Sequence, residues 1–163
     1  MASPFPMPLL TTDLRQFLDG PNSIIVGTQD GRLMPEAARA LVLRCGEDED
    51  HVTLWLPISD AARTVSNLAV DPRIAVAVER PSLHKTRQLK GVSIKVGNAS
   101  AKRRPMLNEA FEAFTQECLA IGLPRRLLDR VVRWPATEIV MRVTAVFDQT
   151  PGPGAGALLG SAP

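Results

Sequence analysis

The chain has no tyrosine, and its 163 residues include only five phenylalanines and two tryptophans. A protein surface that reads nucleic acid interleaves aromatic side chains with a dense basic face. Neither feature is present, and the net charge is only +2, so nucleic acid is not expected as a partner. Cysteine and histidine are equally scarce. Cys45 and Cys118 stand alone without CxxC spacing, and His51 and His84 form no HxxxH pair; no metal site is expected. The two thiols read as small buried hydrophobes of a reducing compartment rather than as a disulfide. No segment approaches the roughly 20 apolar residues that a spanning helix needs. The opening MASPFPMPLL has no basic lead and is broken by prolines, so it reads neither as a signal peptide nor as an anchor. A cytoplasmic protein without membrane contact is the expectation. Glycine-rich phosphate loops are also missing, since neither the GxGxxG nor the GxxxxGK pattern occurs. A phosphate-bearing ligand would have to use side-chain cations and a helix end.

What is present suffices for one domain with a real core and charges of both signs. Residues 1–10 read as an extended, proline-rich lead-in, 11–148 as the folded domain, and 149–163 as a Pro/Gly-rich tail, mobile or laid along a partner subunit. Thr11 or Thr12 caps a short helix with Leu14, Phe17 and Leu18 on one face, ended by Gly20 and Pro21. Ser23 to Thr28 reads as a strand and Asp30-Gly31 as a hairpin turn. Ala37 to Cys45 reads as the next strand, with Arg39 and Arg44 on opposite faces by simple alternation. After a solvated acidic turn over 46–50, His51 to Leu56 places Val52, Leu54 and Leu56 on one face and Thr53 and Trp55 on the other.

The stretch from Trp55 to Gly91 organises the rest. Arg63 and Thr64 are expected to open a helix, where free backbone N–H groups favour an anion. Pro72 closes that helix, and Ile74, Val76 and Val78 then alternate as a half-buried strand. A second cationic group, Arg87-Gln88-Leu89-Lys90-Gly91, opens a strand that continues through Val96. From Arg104 the period changes: Leu107, Ala110, Phe111, Phe114, Cys118 and Leu119 form one helical stripe, which Gly122 ends. Pro124 suits the first turn of a second helix carrying Leu127, Leu128 and Val131, and a last strand alternates with Thr137, Ile139, Met141, Val143, Ala145 and Phe147 inward. Six strands joined mostly by short turns predict a mainly β fold with added helices, an antiparallel barrel rather than a βαβ sheet.

The run Arg39-Ala-Leu-Val-Leu-Arg44, then Ala62-Arg63-Thr64 ahead of Asn67-Leu68, then Asp71-Pro72-Arg73-Ile74-Ala75-Val76, and finally Arg87-Gln88-Leu89-Lys90-Gly91 resembles the pyridoxamine 5′-phosphate oxidase-like family of flavin-binding split barrels. The resemblance spans roughly Leu14 to Phe147. It implies a six-stranded antiparallel Greek-key split barrel with flanking helices, a homodimer, and FMN in the dimer clefts. It also implies an oxidoreductase acting on an unknown small substrate. By the same resemblance the cofactor-binding residues are Arg39, Ala40, Leu41, Val42, Arg44, Arg63, Thr64, Gln88 and Lys90. Arg63 matches a phosphate-binding arginine, Thr64 stands where the family often has lysine, and Ala62 replaces the usual serine. Gln88 matches a glutamine that reaches the flavin ring. The match to the oxidase itself is poor, because nothing after Phe147 corresponds to its substrate-binding end.

Chemistry agrees with the resemblance. Arginine offers a planar fork to a phosphate dianion, and an amide such as Gln88 can donate to ring carbonyls. Trp55 or Trp134 can supply an apolar wall. Two alternatives stay open: a deazaflavin (F420) reductase using Lys85, Arg87 and Lys90 for a longer anionic tail, and a non-catalytic flavin or haem module with His84 or His51 as haem ligand. Each residue also has a plain structural role: exposed strand ends for Arg39 and Arg44, a solvated helix position for Arg63, and core anchors for the tryptophans.

Overall fold

The computed structural model describes residues 8–48 and 50–162; most of the expected lead-in, residues 1–7, lies outside them. In chain order the elements are α1 (Thr12–Leu18), β1 (Ser23–Gln29), β2 (Pro35–Ala40), β3 (Val42–Cys45), β4 (His51–Pro57), α2 (Ile58–Val70), β5 (Arg73–Arg80), β6 (Lys85–Asn98), α3 (Arg104–Ala120), α4 (Arg125–Leu128), β7 (Ala136–Asp148) and β8 (Leu158–Ser161). Thr11 caps α1 as expected, its hydroxyl accepting the Leu14 N–H at 3.4 Å. Asp30 makes the tight turn after β1 by accepting the N–H groups of Arg32 and Met34 at 2.8 and 2.9 Å.

All strand pairs are antiparallel and form one curled sheet in the order β2-β1-β5-β6-β7-β4-β3, with β8 added to β7. The mainly antiparallel split-barrel expectation is met at this level. Among the described residues eight strands stand where six were expected, for two reasons. The expected strand over Ala37–Cys45 is two strands that meet at a bend on Leu41, and the tail returns as β8.

The bend follows from a change of phase. Ala38 and Ala40 face the barrel interior, and so do Leu43 and Cys45, whereas Leu41 and Val42 pack on a second core outside. One extra residue is therefore inserted, and Leu41 spends its N–H on Trp55 O at 2.7 Å. The shift places Arg39 and Arg44 both on the outer side, not on opposite faces as uninterrupted alternation predicts. It also makes the two edge strands consecutive in sequence, so the sheet curls until its ends share one stretch of chain.

The interior is mainly apolar, with Val26, Val52, Leu54, Val76, Leu89 and Ile139 fully buried, and Thr28, Thr64, Asn67 and Thr137 are buried as well. The second core lies between the outer side of the bend and α3, where Leu41, Val42 and Trp55 meet Leu107, Phe111 and Phe114. Phe111 and Phe114 contact each other at 5.9 Å with rings tilted by 59°, and burying each contributes roughly 1.5–3 kcal/mol. The predicted α3 stripe is met at Leu107, Phe111, Phe114 and Cys118, while Thr115 joins the buried side by donating its hydroxyl to Phe111 O at 2.9 Å. Gly122 ends the helix with φ at 88°, a conformation glycine adopts without strain. In β6, Gly91 sits at a bulge where an added Cβ would lie 2.0 Å from Arg142 O, so no other residue fits there unchanged.

Candidate functional site

The bend and the start of α2 come together. Pro57 ends β4 and stands as the N-cap residue of α2, Asp60 lies in the first turn, and the Ile58 N–H is already taken by Pro135 O at 3.0 Å. Between this turn and the bend is a cleft of about 290 Å³ lined by Arg39, Leu41, Pro57, Ser59, Asp60 and the segment Arg130–Val132. Arg39 and Arg130 bring positive charge, Ser59 a hydroxyl, Leu41 and Val131 apolar surface. Sequence reading missed Ser59, Asp60 and Arg130 because only the packing of the α4 segment against the bend brings them together.

The helix begins five positions before Arg63, so Arg63 and Thr64 do not open it. Pro57 is the residue that sets the start, since proline suits an extended cap position and cannot continue the β4 ladder. Arg63 is exposed on the second turn of α2. Thr64 faces inward, buried, with its hydroxyl lacking a partner among the described residues. Asn67, one turn on, donates to Thr28 Oγ1 at 3.0 Å and ties α2 to β1.

Of the expected strand contacts, the side chain of Ala40 points into the barrel and Val42 into the second core. Arg44 donates to Asp19 O at 3.0 Å and Leu43 O at 2.9 Å, at the C-terminal end of α1. A cation there complements the helix dipole. Beside it the Cys45 thiol is pushed up to about 12, mainly by burial and then by the Asp19 carboxylate; both cysteines are free.

Gln88 and Lys90 lie on the same outer face as Arg39 but elsewhere on it. The strand registers align Arg39, Ile25, Ala77, Gln88 and Phe147 in one row, and Ala37, Gly27, Ala75, Lys90 and Ala145 in the next. Arg39 and Gln88 are thus three strand spacings apart, about 14 Å, across a floor of small or aliphatic residues. Gln88 accepts from Gln149 Nε2 at 3.3 Å, and Lys90 lies over the Phe147 ring at 4.8 Å. A shallow cavity of about 580 Å³ on this face is lined by Gly27, Gln29, Arg73, Ala75, Lys90 and Thr144, among others. Its rim is charged: Arg73 grips Asp71 at 2.7 Å and Gln29 donates to the same carboxylate at 2.8 Å. The Arg73 guanidinium, then the Gln29 amide, hold the Asp71 carboxyl well below the usual carboxylate range.

The remaining candidates fall apart from this face. Lys85 and Arg87 stack over Phe17 of α1 at 5.3 and 6.0 Å, and Arg87 is paired with Asp148 at 2.7 Å. Trp55 is buried, its indole donating to Glu138 Oε2 at 3.0 Å; it anchors the second core, and Trp134 packs against the same cluster. His84 is exposed in a left-handed turn, and His51 faces the carboxylates of Asp50 and Asp48 at 3.0 and 3.4 Å. No helix among the described residues is long and apolar enough to cross a membrane.

No family model matches the chain, and no curated protein matches it by sequence. Its fold does match solved structures. HupZ of Group A Streptococcus is 15% identical, with 90% of this chain and 98% of that one covered and a TM-score of 0.55. A structure described as an F420 reductase is 14% identical, covering 81% and 94% of the two chains at a TM-score of 0.56. A candidate pyridoxamine 5′-phosphate oxidase from Lactobacillus delbrueckii is 11% identical, covering 86% and 95% at a TM-score of 0.55. At the level of a mainly antiparallel split barrel, the fold is therefore the one that the Arg39–Gly91 motifs led us to expect.

Proposed function

We propose that the protein is a homodimeric flavoprotein that holds FMN between the bend of one copy and the outer face of another, and that it is an oxidoreductase acting on a small molecule. The observation that carries this reading is the shared cleft of the Arg39–Leu41 bend and the first turn of α2, on a fold that also occurs in a candidate pyridoxamine 5′-phosphate oxidase. At about 290 Å³ the cleft lies at the lower end of small-molecule sites, roughly 300–1,000 Å³, so it fits part of a flavin nucleotide. A second copy would complete it. Gln88 and Lys90, about 14 Å from Arg39 along the row, are the residues a second copy would bring.

Within this reading Arg39 and Arg63 bind the phosphate end, Leu41 and the main chain of Ala40 and Val42 meet the ring, and Gln88 donates to it. Thr64 and Arg44 contribute through structure: one is turned inward, the other is engaged at α1. When bound, the flavin would supply hydride or electron transfer; the protein orients it, shields it from water and needs no side-chain nucleophile. Asp60 opposes an anion at the helix start, which makes Arg39 and Arg63 the decisive cations.

A deazaflavin such as F420 is the second reading, favoured by the match to an F420 reductase and by Arg73 and Lys90 on the rim of the 580 Å³ cavity. Lys85 and Arg87 do not serve it, being stacked on Phe17. The deciding experiment is an absorption spectrum of the purified protein before and after adding FMN and desalting. A retained flavin spectrum that Arg39→Ala or Arg63→Ala weakens by about ten-fold in affinity supports FMN. A colourless protein that instead retains F420 selects the second reading, a Soret band selects a haem module, and retention of none sinks the cofactor reading.

A further inference from the structure

A cavity of about 420 Å³ between α3, α4 and the outer side of β1 and β5 has no part in the cofactor reading beyond sharing Arg39 and Val131 with the neighbouring cleft. One wall is apolar, made by Phe111, Phe114, Cys118 and Leu128. Ile121, Leu123 and Leu127 stand exposed around its mouth. The opposite wall is polar and carries Ser23, Arg39 and Glu79. Arg39 donates one N–H to Ser23 Oγ at 3.1 Å, and the other guanidinium donors have no acceptor among the described residues. Glu79 is the cross-strand neighbour of the same serine. Neither Arg39 nor Glu79 has an ion-pair partner among the described residues, and they do not pair with each other. An exposed cation and an exposed anion, neither neutralised by an ion pair, thus flank one hydroxyl and face an aromatic wall.

We propose that this cavity binds a zwitterionic amino acid with an aromatic or large apolar side chain. The carboxylate goes to Arg39, the ammonium to Glu79, and the side chain lies against Phe111 and Phe114. A carboxylate without an amine would face Glu79 uncompensated, and an amine without a carboxylate would face Arg39, so the two charges select against singly charged analogues. The volume lies within the range of small-molecule pockets, which are mostly apolar with a few convergent polar groups.

The test is calorimetric titration of the protein as purified, and again after FMN saturation, with L-phenylalanine, 3-phenylpropionate and phenethylamine. L-Phenylalanine is expected to bind at least about ten-fold tighter than either analogue. Arg39→Gln should bring it down to the level of phenethylamine, and Glu79→Gln to that of phenylpropionate, with unchanged circular dichroism. Ile121→Glu, at the exposed mouth, should weaken all three. Phenylpropionate binding as tightly as phenylalanine, an indifferent Glu79→Gln, or no binding of any of the three overturns the proposal. Because the cofactor reading also uses Arg39, FMN saturation is expected to weaken phenylalanine binding; phenylalanine that binds equally tightly with and without FMN refutes Arg39 as a phosphate ligand. The readout is independent of redox turnover: lost flavin retention with phenylalanine binding intact refutes the cofactor reading alone.

Discussion

The hydroxyl of Thr64 is buried without a partner among the described residues, and leaving such a group unpaired costs roughly 1–3 kcal/mol. Thr64→Val is therefore expected to raise stability by about 1 kcal/mol, read as a higher urea midpoint at unchanged slope. A fall in stability together with weaker flavin retention would instead make Thr64 a ligand contact. Asp71 gives a pH signature. Its carboxyl is held below its ordinary value by Arg73 and Gln29, so its contribution is complete above the unfolded pKa of about 4 and is lost as pH falls through the lower folded value. The stability difference between the wild type and Asp71→Asn should shrink on acidification below about pH 4; a difference that stays constant from pH 6 to 2 would show that the pair does not hold. At this scale the sequence told the residue type but not its direction. Arg63 and Thr64 are neighbours on α2, yet one faces solvent and the other the barrel, which depends on where the helix begins.

Elements with an unbroken period were legible. β1, β4, β5 and the stripe of α3 lie where their alternation put them, because one buried face dictates every second or every third to fourth residue. β7 keeps its expected phase only through Val143, after which a bulge turns Val146 inward and leaves Ala145 and Phe147 on the outer face. The failures have local causes. Leu41-Val42-Leu43 is apolar at three consecutive positions, which hides a change of phase, and β8, a four-residue Leu-Leu-Gly-Ser strand, is too short to show an alternation. Gly91 is a feature of the β6–β7 ladder rather than of its own strand. Gly91→Ala would push a Cβ into Arg142 O and is expected to cost about 1–3 kcal/mol. Gly97→Ala in the same strand meets nothing within 4 Å and serves as the control, with little change in the thermal midpoint.

At the scale of the whole molecule, the candidate site was only partly legible. Arg39 and Gln88 share one row because of the registers of three strand pairs, and register is set by distant partners. The proposed dimer uses that row, so Ala77→Glu, which puts a charge between Arg39 and Gln88, is expected to shift sedimentation from dimer to monomer. A wild-type protein that sediments as a monomer would remove the second copy from the cofactor reading. The free sides of β2 and β3 bear on how copies can meet. α2 packs along β2 and α1 along β3, and Asp19 of the α1 cap takes the Cys45 N–H at 2.7 Å. β8 occupies the length of β7 that β4 leaves vacant. Edges guarded in this way do not recruit a foreign strand, so β2 and β3 are closed to lateral growth. The exposed strand β8, paired on its β7 side alone among the described residues, is where any ribbon would have to start. The proposed dimer would instead form broadside, through faces whose side chains choose the partner.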